Sequence, residues 1–189
     1  MNARIVPLLG FSVLFALLGF GIWYIKGHDI NEVPSPLIGK PAPEFSLPHL
    51  YTPQVFLESK SLAGKPYLLH VFASWCFVCR EENPVLMSHG KALGITLVGF
   101  DYKDDPNDAK LWLQQFGNPY DVVIADESGK VAIDFGVYGA PESFIVDGNG
   151  IIRHKHIGAI TRDTIRNEFQ PLLEKIKQEN PQWQDSCFS

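Results

Sequence analysis

Cysteine is scarce in this chain, with three among 189 residues and two of those in a single motif. Such a count excludes a small domain stapled by disulfides, so stability has to come from packing. Lysine and arginine form no cluster and the formal net charge is -5, which removes the electrostatic footprint of a nucleic-acid binder. Internal repeats and low-complexity tracts are absent, excluding a repeat array. No pair of histidines at zinc-finger spacing accompanies the cysteines, and Arg80, not His, follows Cys79, so no heme-attachment motif is present. What remains is a chain with 46% hydrophobic residues, long enough to build one globular domain with a full core.

One long uncharged stretch stands out, from Ile5 to Ile25. It is long enough to cross a hydrocarbon layer of about 30 Å. A cleaved signal peptide competes with that reading, but the run exceeds the usual apolar core of roughly 7–15 residues. No Ala-x-Ala site closes it. Trp23 and Tyr24 suit the far interface, with Lys26 after them, Arg4 before the span, and Asp29 and Glu32 beyond it. This charge balance predicts a cytoplasmic N-terminus. The expected organisation is an anchor over 1–26, a linker over 27–37, a folded domain over 38–180 facing an extracytoplasmic compartment, and a tail over 181–189.

Within the domain, the segment after Phe45 reads as an N-terminal hairpin. Tyr67 to Ala73 is a continuous apolar run, as expected of a central strand covered on both faces. Cys76 to about Leu93 reads as a helix that Pro84 kinks, and Ile95 to Phe100 as a second buried strand. A helix follows over Asn107 to Phe116, then a strand at Val122 to Ile124 and a short helix at Val131 to Phe135. Asp147-Gly148-Asn149-Gly150 predicts a β-hairpin between Ser143–Val146 and Ile151–His156. Thr161 can cap a closing helix that Pro171 kinks or divides. Alternating β and α elements ending in a hairpin and a helix imply an α/β sandwich around a mixed sheet.

The chemistry concentrates in Trp75-Cys76-Phe77-Val78-Cys79, directly after the apolar strand. A thiol at a strand-to-helix turn, with a second one helical turn later, is the arrangement of a dithiol that opens and closes a disulfide. A zinc half-site lacks its other ligands, and a structural bridge gains little from so short a loop. At the helix start Cys76 sees unsatisfied N–H groups that favour its thiolate, making it the expected nucleophile; Cys79 resolves the mixed disulfide. Trp75 reads either as docking surface or as core packing. Pro141, in Gly139-Ala140-Pro141-Glu142-Ser143, leads into the hairpin; taken alone it reads as trans, since only about 5–6% of X–Pro bonds are cis.

Taken together, these features resemble thioredoxin. The fuller set is Ile38-Gly39-Lys40-Pro41, the Trp-Cys-x-x-Cys motif, Tyr102-Lys103-Asp104-Asp105, Gly117-Asn118-Pro119-Tyr120, Gly136 to Glu142 (GVYGAPE) and Asp147 to Arg153. It resembles the membrane-anchored thiol:disulfide oxidoreductases of bacterial cytochrome c maturation (CcmG/DsbE), from the anchor to about Ile176. The resemblance implies a thioredoxin-like sandwich with an extra βα insertion, supplied by Gly94 to Phe116. It implies a periplasmic reductant on the bacterial inner membrane that keeps cysteines of apocytochrome c, or of a maturation partner, reduced. Electrons would come from a transmembrane thiol reductase; no cofactor or metal is expected. It also implies that Cys76 and Cys79 are the redox pair, Pro141 a cis-proline, and Glu82 and Glu142 acidic groups near them.

Read independently, Glu82 shares a helix face with Cys79 and could relay its proton, whereas Glu81 suits the helix start for its charge alone. Glu142 reads as a solvated turn residue or as a group that selects substrate or tunes a pKa. His70 occupies the position of thioredoxin's buried acid and is expected to be a neutral, hydrogen-bonded core histidine, with proton relay as the alternative. His154 and His156 alternate on a strand and read as an exposed hairpin edge rather than a metal site. Cys187 reads as a free thiol in the tail. Phe77-Val78 and Ser143 depart from the family's usual Pro-containing dipeptide and threonine. A peroxiredoxin would need Thr or Ser and Pro where Ala73 and Leu69 stand. The competing functions are a general extracytoplasmic thioredoxin-like reductase and a non-catalytic module that binds an unfolded apoprotein.

Overall fold

A computed structural model describes the backbone of residues 5–26 and 36–180, with side chains on the first segment described for residues 10–22. Arg4, Trp23, Tyr24, Asp29, Glu32, most of the linker and the tail with Cys187 lie outside the described residues or side chains. Two compact units divide the chain after Pro34. In the first, the apolar run folds as helix α1, Ile5–Lys26. Among the described residues no helix is long and apolar enough to cross a membrane, so α1 is established here as a helix and not as a span.

The second unit is built on a five-stranded sheet in the order β5-β4-β3-β6-β7. Its strands are β3 (Tyr67–Phe72), β4 (Thr96–Tyr102), β5 (Val122–Asp126), β6 (Glu142–Val146) and β7 (Ile152–Ile157), while β1 (Ser46–Pro48) and β2 (Phe56–Glu58) form the N-terminal hairpin. β3, β4 and β5 run parallel; β6 and β7 are antiparallel additions. The continuous apolar run of β3 is explained by its place at the centre, with every residue buried. Gly94–Phe116, expected to hold the extra βα element, contains β4, which pairs on both sides. With the helix Pro106–Phe116 after it, that interval holds one strand and one helix, and β5 forms the sheet margin beside β4.

Helices cover both faces. On one, α2 (Phe77–His89), α3 (Pro106–Phe116) and the closing helix pack over Leu68, Phe72 and Leu97. On the other, the hairpin and α4 (Lys130–Asp134) pack over Leu69, Val71 and Phe100. The closing helix is α5 (Arg162–Thr164), a π-helical stretch Ile165–Phe169, and α6 (Gln170–Glu179). Thr161 caps it in a capping box, as its residue type predicts. Pro171 opens α6 and supplies no N–H, and the π stretch just before it is a recognised way to absorb a missing helical bond. The predicted hairpin closes at Asp147, whose Oδ1 accepts from Asn149 and Ile151 N–H, with Gly150 at φ 78° completing the turn.

Candidate functional site

Strand β3 ends at Phe72 and the chain turns through Ala73-Ser74-Trp75 into α2. Asp104, from the loop after β4, holds that turn: its carboxylate accepts from the Ser74 N–H and, at 2.7 Å, from the Ser74 hydroxyl. Cys76 is the N-cap of α2, and its Sγ accepts from the Cys79 N–H at 3.0 Å. A sulfur placed against a free helical N–H is where negative charge is stabilised. Cys76 and Cys79 are joined in a disulfide. Cys76 keeps 4% of its surface and Cys79 1%, so an incoming thiolate reaches the Cys76 sulfur first.

Trp75 is 54% exposed, which rules out the core-packing reading; its Nε1–H donates to the Lys103 carbonyl at 3.0 Å. Phe77 and Val78 are exposed too, so the dipeptide between the cysteines faces solvent. The Ala140–Pro141 bond is cis, as the family resemblance implies and the isolated sequence does not. Ala140 packs against the cluster that contains both cysteines.

Glu82, on the same helix as Cys79, belongs to a buried polar chain. His70 on β3 stands 3.0 Å from Glu82 Oε1 through Nε2 and 2.8 Å from the Tyr120 hydroxyl through Nδ1. Glu82 Oε2 accepts from the Ile160 N–H. A neutral imidazole satisfies all of these contacts: Tyr120 O–H donates to Nδ1, and Nε2–H donates to the carboxylate. Burial, then the charges of Glu82 and Asp101, raise the Tyr120 phenol well above its ordinary value and keep it a donor. His70 is thus buried and hydrogen-bonded within the core, as expected at position 70. Glu81 is exposed.

Glu142 settles one of its two readings: the solvated turn is removed. It is 1% exposed rather than a solvated turn residue. Oε1 accepts from the N–H of Tyr138 (2.8 Å) and Gly139 (3.3 Å), and Oε2 stands 2.9 Å from Lys155 Nζ. The carboxylate therefore pins the loop that precedes the cis-proline. Nothing in the sequence marks Tyr120 or Lys155 as partners, because each lies far along the chain from the group it serves. Asp101, also buried, was likewise unmarked.

A disulfide across the first turn of the helix after the central strand, with a cis-proline ahead of the antiparallel hairpin, defines a thioredoxin-fold thiol–disulfide oxidoreductase. Known proteins agree. The AhpC/TSA family model matches residues 38–155. Thiol:disulfide interchange protein DsbE of Xylella fastidiosa is 43% identical over 169 residues, covering 89% of this chain and 85% of that protein. DsbE of Escherichia coli K12 is 42% identical over 183 residues, covering 94% and 97%. Among solved structures, a putative DsbE from Chlorobium tepidum superposes with a TM-score of 0.61 at 29% identity, covering 72% of this chain and 97% of that one. The chain belongs to the AhpC/TSA family and, within the thioredoxin fold, to the DsbE thiol:disulfide interchange proteins.

Proposed function

We propose that this oxidoreductase is a periplasmic reductant, tethered to the bacterial inner membrane by α1 with a cytoplasmic N-terminus. Its substrates are disulfides of apocytochrome c or of a cytochrome c maturation partner, and a transmembrane thiol reductase supplies its electrons. Domain limits of 1–26 for the anchor, 27–37 for the linker, 38–180 for the catalytic domain and 181–189 for the tail belong to this proposal. The 22-residue α1 and the near full-length match to DsbE proteins support the tether.

The observation that carries the chemistry is the capped Cys76 sulfur in a bond with Cys79. In the reduced protein the Cys76 thiolate attacks a substrate disulfide, forming a mixed disulfide and expelling one substrate thiolate. Cys79, deprotonated, then attacks the Cys76 sulfur and releases the second substrate thiolate. Two electrons pass to the substrate, and the intramolecular bond seen here is the product. Exposed Trp75 offers an apolar platform beside the nucleophile, Glu142 holds the loop that carries Pro141, and Glu82 with Cys79 on its helix face is the candidate acceptor for the resolving proton.

The test replaces Cys79 by Ala in the full chain and identifies what accumulates in mixed disulfide with Cys76. A c-type apoprotein or a maturation factor is the expected capture. A broad set of unrelated secreted proteins would instead identify a general reductase. Deletion followed by heme staining should deplete c-type cytochromes; undiminished staining would remove the maturation role. Activity retained after both cysteines become Ala would leave only apoprotein binding.

A further inference from the structure

Away from the dithiol, three metal-ligating side chains converge among the described residues. His154 and His156 come from the edge strand β7, and Glu168 from the π stretch of the closing helix. We propose that they form a binding site for a divalent transition-metal ion of borderline softness, with Zn2+ as the representative, ligated by His154 Nε2, His156 Nδ1 and a Glu168 carboxylate oxygen.

The spacing fits. One ligand atom from each residue lies within 4.8 Å of the other two. Glu168 Oε2 stands 3.3 Å from His154 Nε2 and 3.2 Å from His156 Nδ1. Ligands bound tetrahedrally at about 2.0–2.1 Å from zinc stand roughly 3.3–3.4 Å apart. Two edges of the polyhedron thus already have the required length. The rings are also held: both meet the buried Phe169 edge-on, with centroids 5.9 Å away.

Hydrogen bonding at His156 supplies the second argument. Its Nε2 lies 3.2 Å from the Ala159 carbonyl oxygen, which can only accept. With Nε2–H donating to that carbonyl, Nδ1 is the ring atom on the Glu168 side, the position from which it would ligate an ion shared with the carboxylate. A backbone carbonyl on the far ring nitrogen is the usual outer partner of a metal-bound histidine, fixing both tautomer and orientation. The Glu168 side chain is 43% exposed, so an ion has a path in and water can complete the coordination.

The experiment uses the full chain in its oxidised form, with Cys76 and Cys79 bonded and Cys187 alkylated so that no thiol competes. Zn2+ binding is measured against a chromophoric chelator, and imidazole 15N shifts are followed during titration. The expected result is one Zn2+ per chain, with the His154 and His156 resonances moving together. Glu168→Gln and His154→Gln should each weaken binding by about tenfold or more. Because the 15N readout needs no variant, a misfolded mutant does not decide the matter. Absence of stoichiometric binding, unmoved His154 and His156 signals, or equal affinity in both variants would overturn the site and leave a solvated His–Glu cluster.

Discussion

Glu142 follows a proline in a loop-like stretch of sequence, yet its carboxylate ends among two backbone N–H groups and the Lys155 ammonium. Lys155 in turn donates to the Gly136 carbonyl at 2.7 Å, so the pair ties down both ends of the segment leading to Pro141. Removing one partner strands the other charge in a closed site. Glu142→Ala is therefore expected to cost about 3–5 kcal/mol in urea unfolding, and Glu142→Gln distinctly less because it keeps the acceptor. Equal losses would show that the site needs the carboxylate's charge and that a neutral acceptor does not substitute for it. Asp101 makes a second prediction. Burial first, then the nearby charge of Asp104, pushes its carboxyl from 3.8 up to about 8. Between those values the folded protein holds a proton that the unfolded chain releases. This group's contribution is fully present below its unfolded pKa and is lost as pH rises through about 8. Urea midpoints should fall between about pH 5 and pH 8, and Asp101→Asn should flatten the slope. A midpoint that climbs over that range in the native chain but not in the variant would contradict the assignment.

At the scale of elements, the buried polar chain depends on the strand that flanks it. His70 on β3 lies opposite Gly99 on β4 and Ser143 on β6. A Cβ on Gly99 would come within 2.6 Å of the Tyr120 ring, so only glycine lets that ring lie against the sheet and reach His70. Gly99→Ala should cost about 2–4 kcal/mol, combining forced repacking with the lost hydrogen bond. Tyr120→Phe, which removes the hydroxyl and keeps the ring, should cost about 1 kcal/mol in the same unfolding assay. The reverse order would mean that the ring has room to move. The contrast also marks what the sequence discloses. Apolar runs, Thr161 as a cap, the Asp147–Gly150 turn and the cysteine motif are local signals, and each was legible to within a few residues. His70, Glu82, Tyr120 and Ile160 belong to four separate segments, and only the sheet order brings them together. Glu142 kept two readings for the same reason: its N–H donors come from its own loop, but its ion-pair partner Lys155 comes from β7. Cis geometry at Pro141 was available only through family resemblance, because a single proline carries no local sign of its isomer.

The whole domain raises a question that no single element answers: how a sheet of five strands avoids exposed margins. β5 and β7 are the outer strands, and an unpaired edge is a template for association. One N-terminal stretch serves both. Gly39 and Lys40 exchange hydrogen bonds with Ile152 at the start of β7, and Ala42 N–H donates to the Gly150 carbonyl. The chain then crosses to the far margin, where Leu50 N–H donates to the Val123 carbonyl and His49 bridges Ile124. The rest of β7 carries Arg153, His154 and His156, polar side chains that discourage pairing. The Ile38-Gly39-Lys40-Pro41 motif thus has an architectural task rather than a catalytic one. A chain beginning at Ser35 retains both covers and should be monomeric, with thermal stability and dithiol exchange independent of the preceding unit. A chain beginning at Tyr51 keeps Cys76, Cys79 and Pro141 but exposes both margins, and should associate in light scattering and unfold at lower temperature. If the shorter chain stays monomeric and equally stable, the N-terminal stretch is not what protects the sheet.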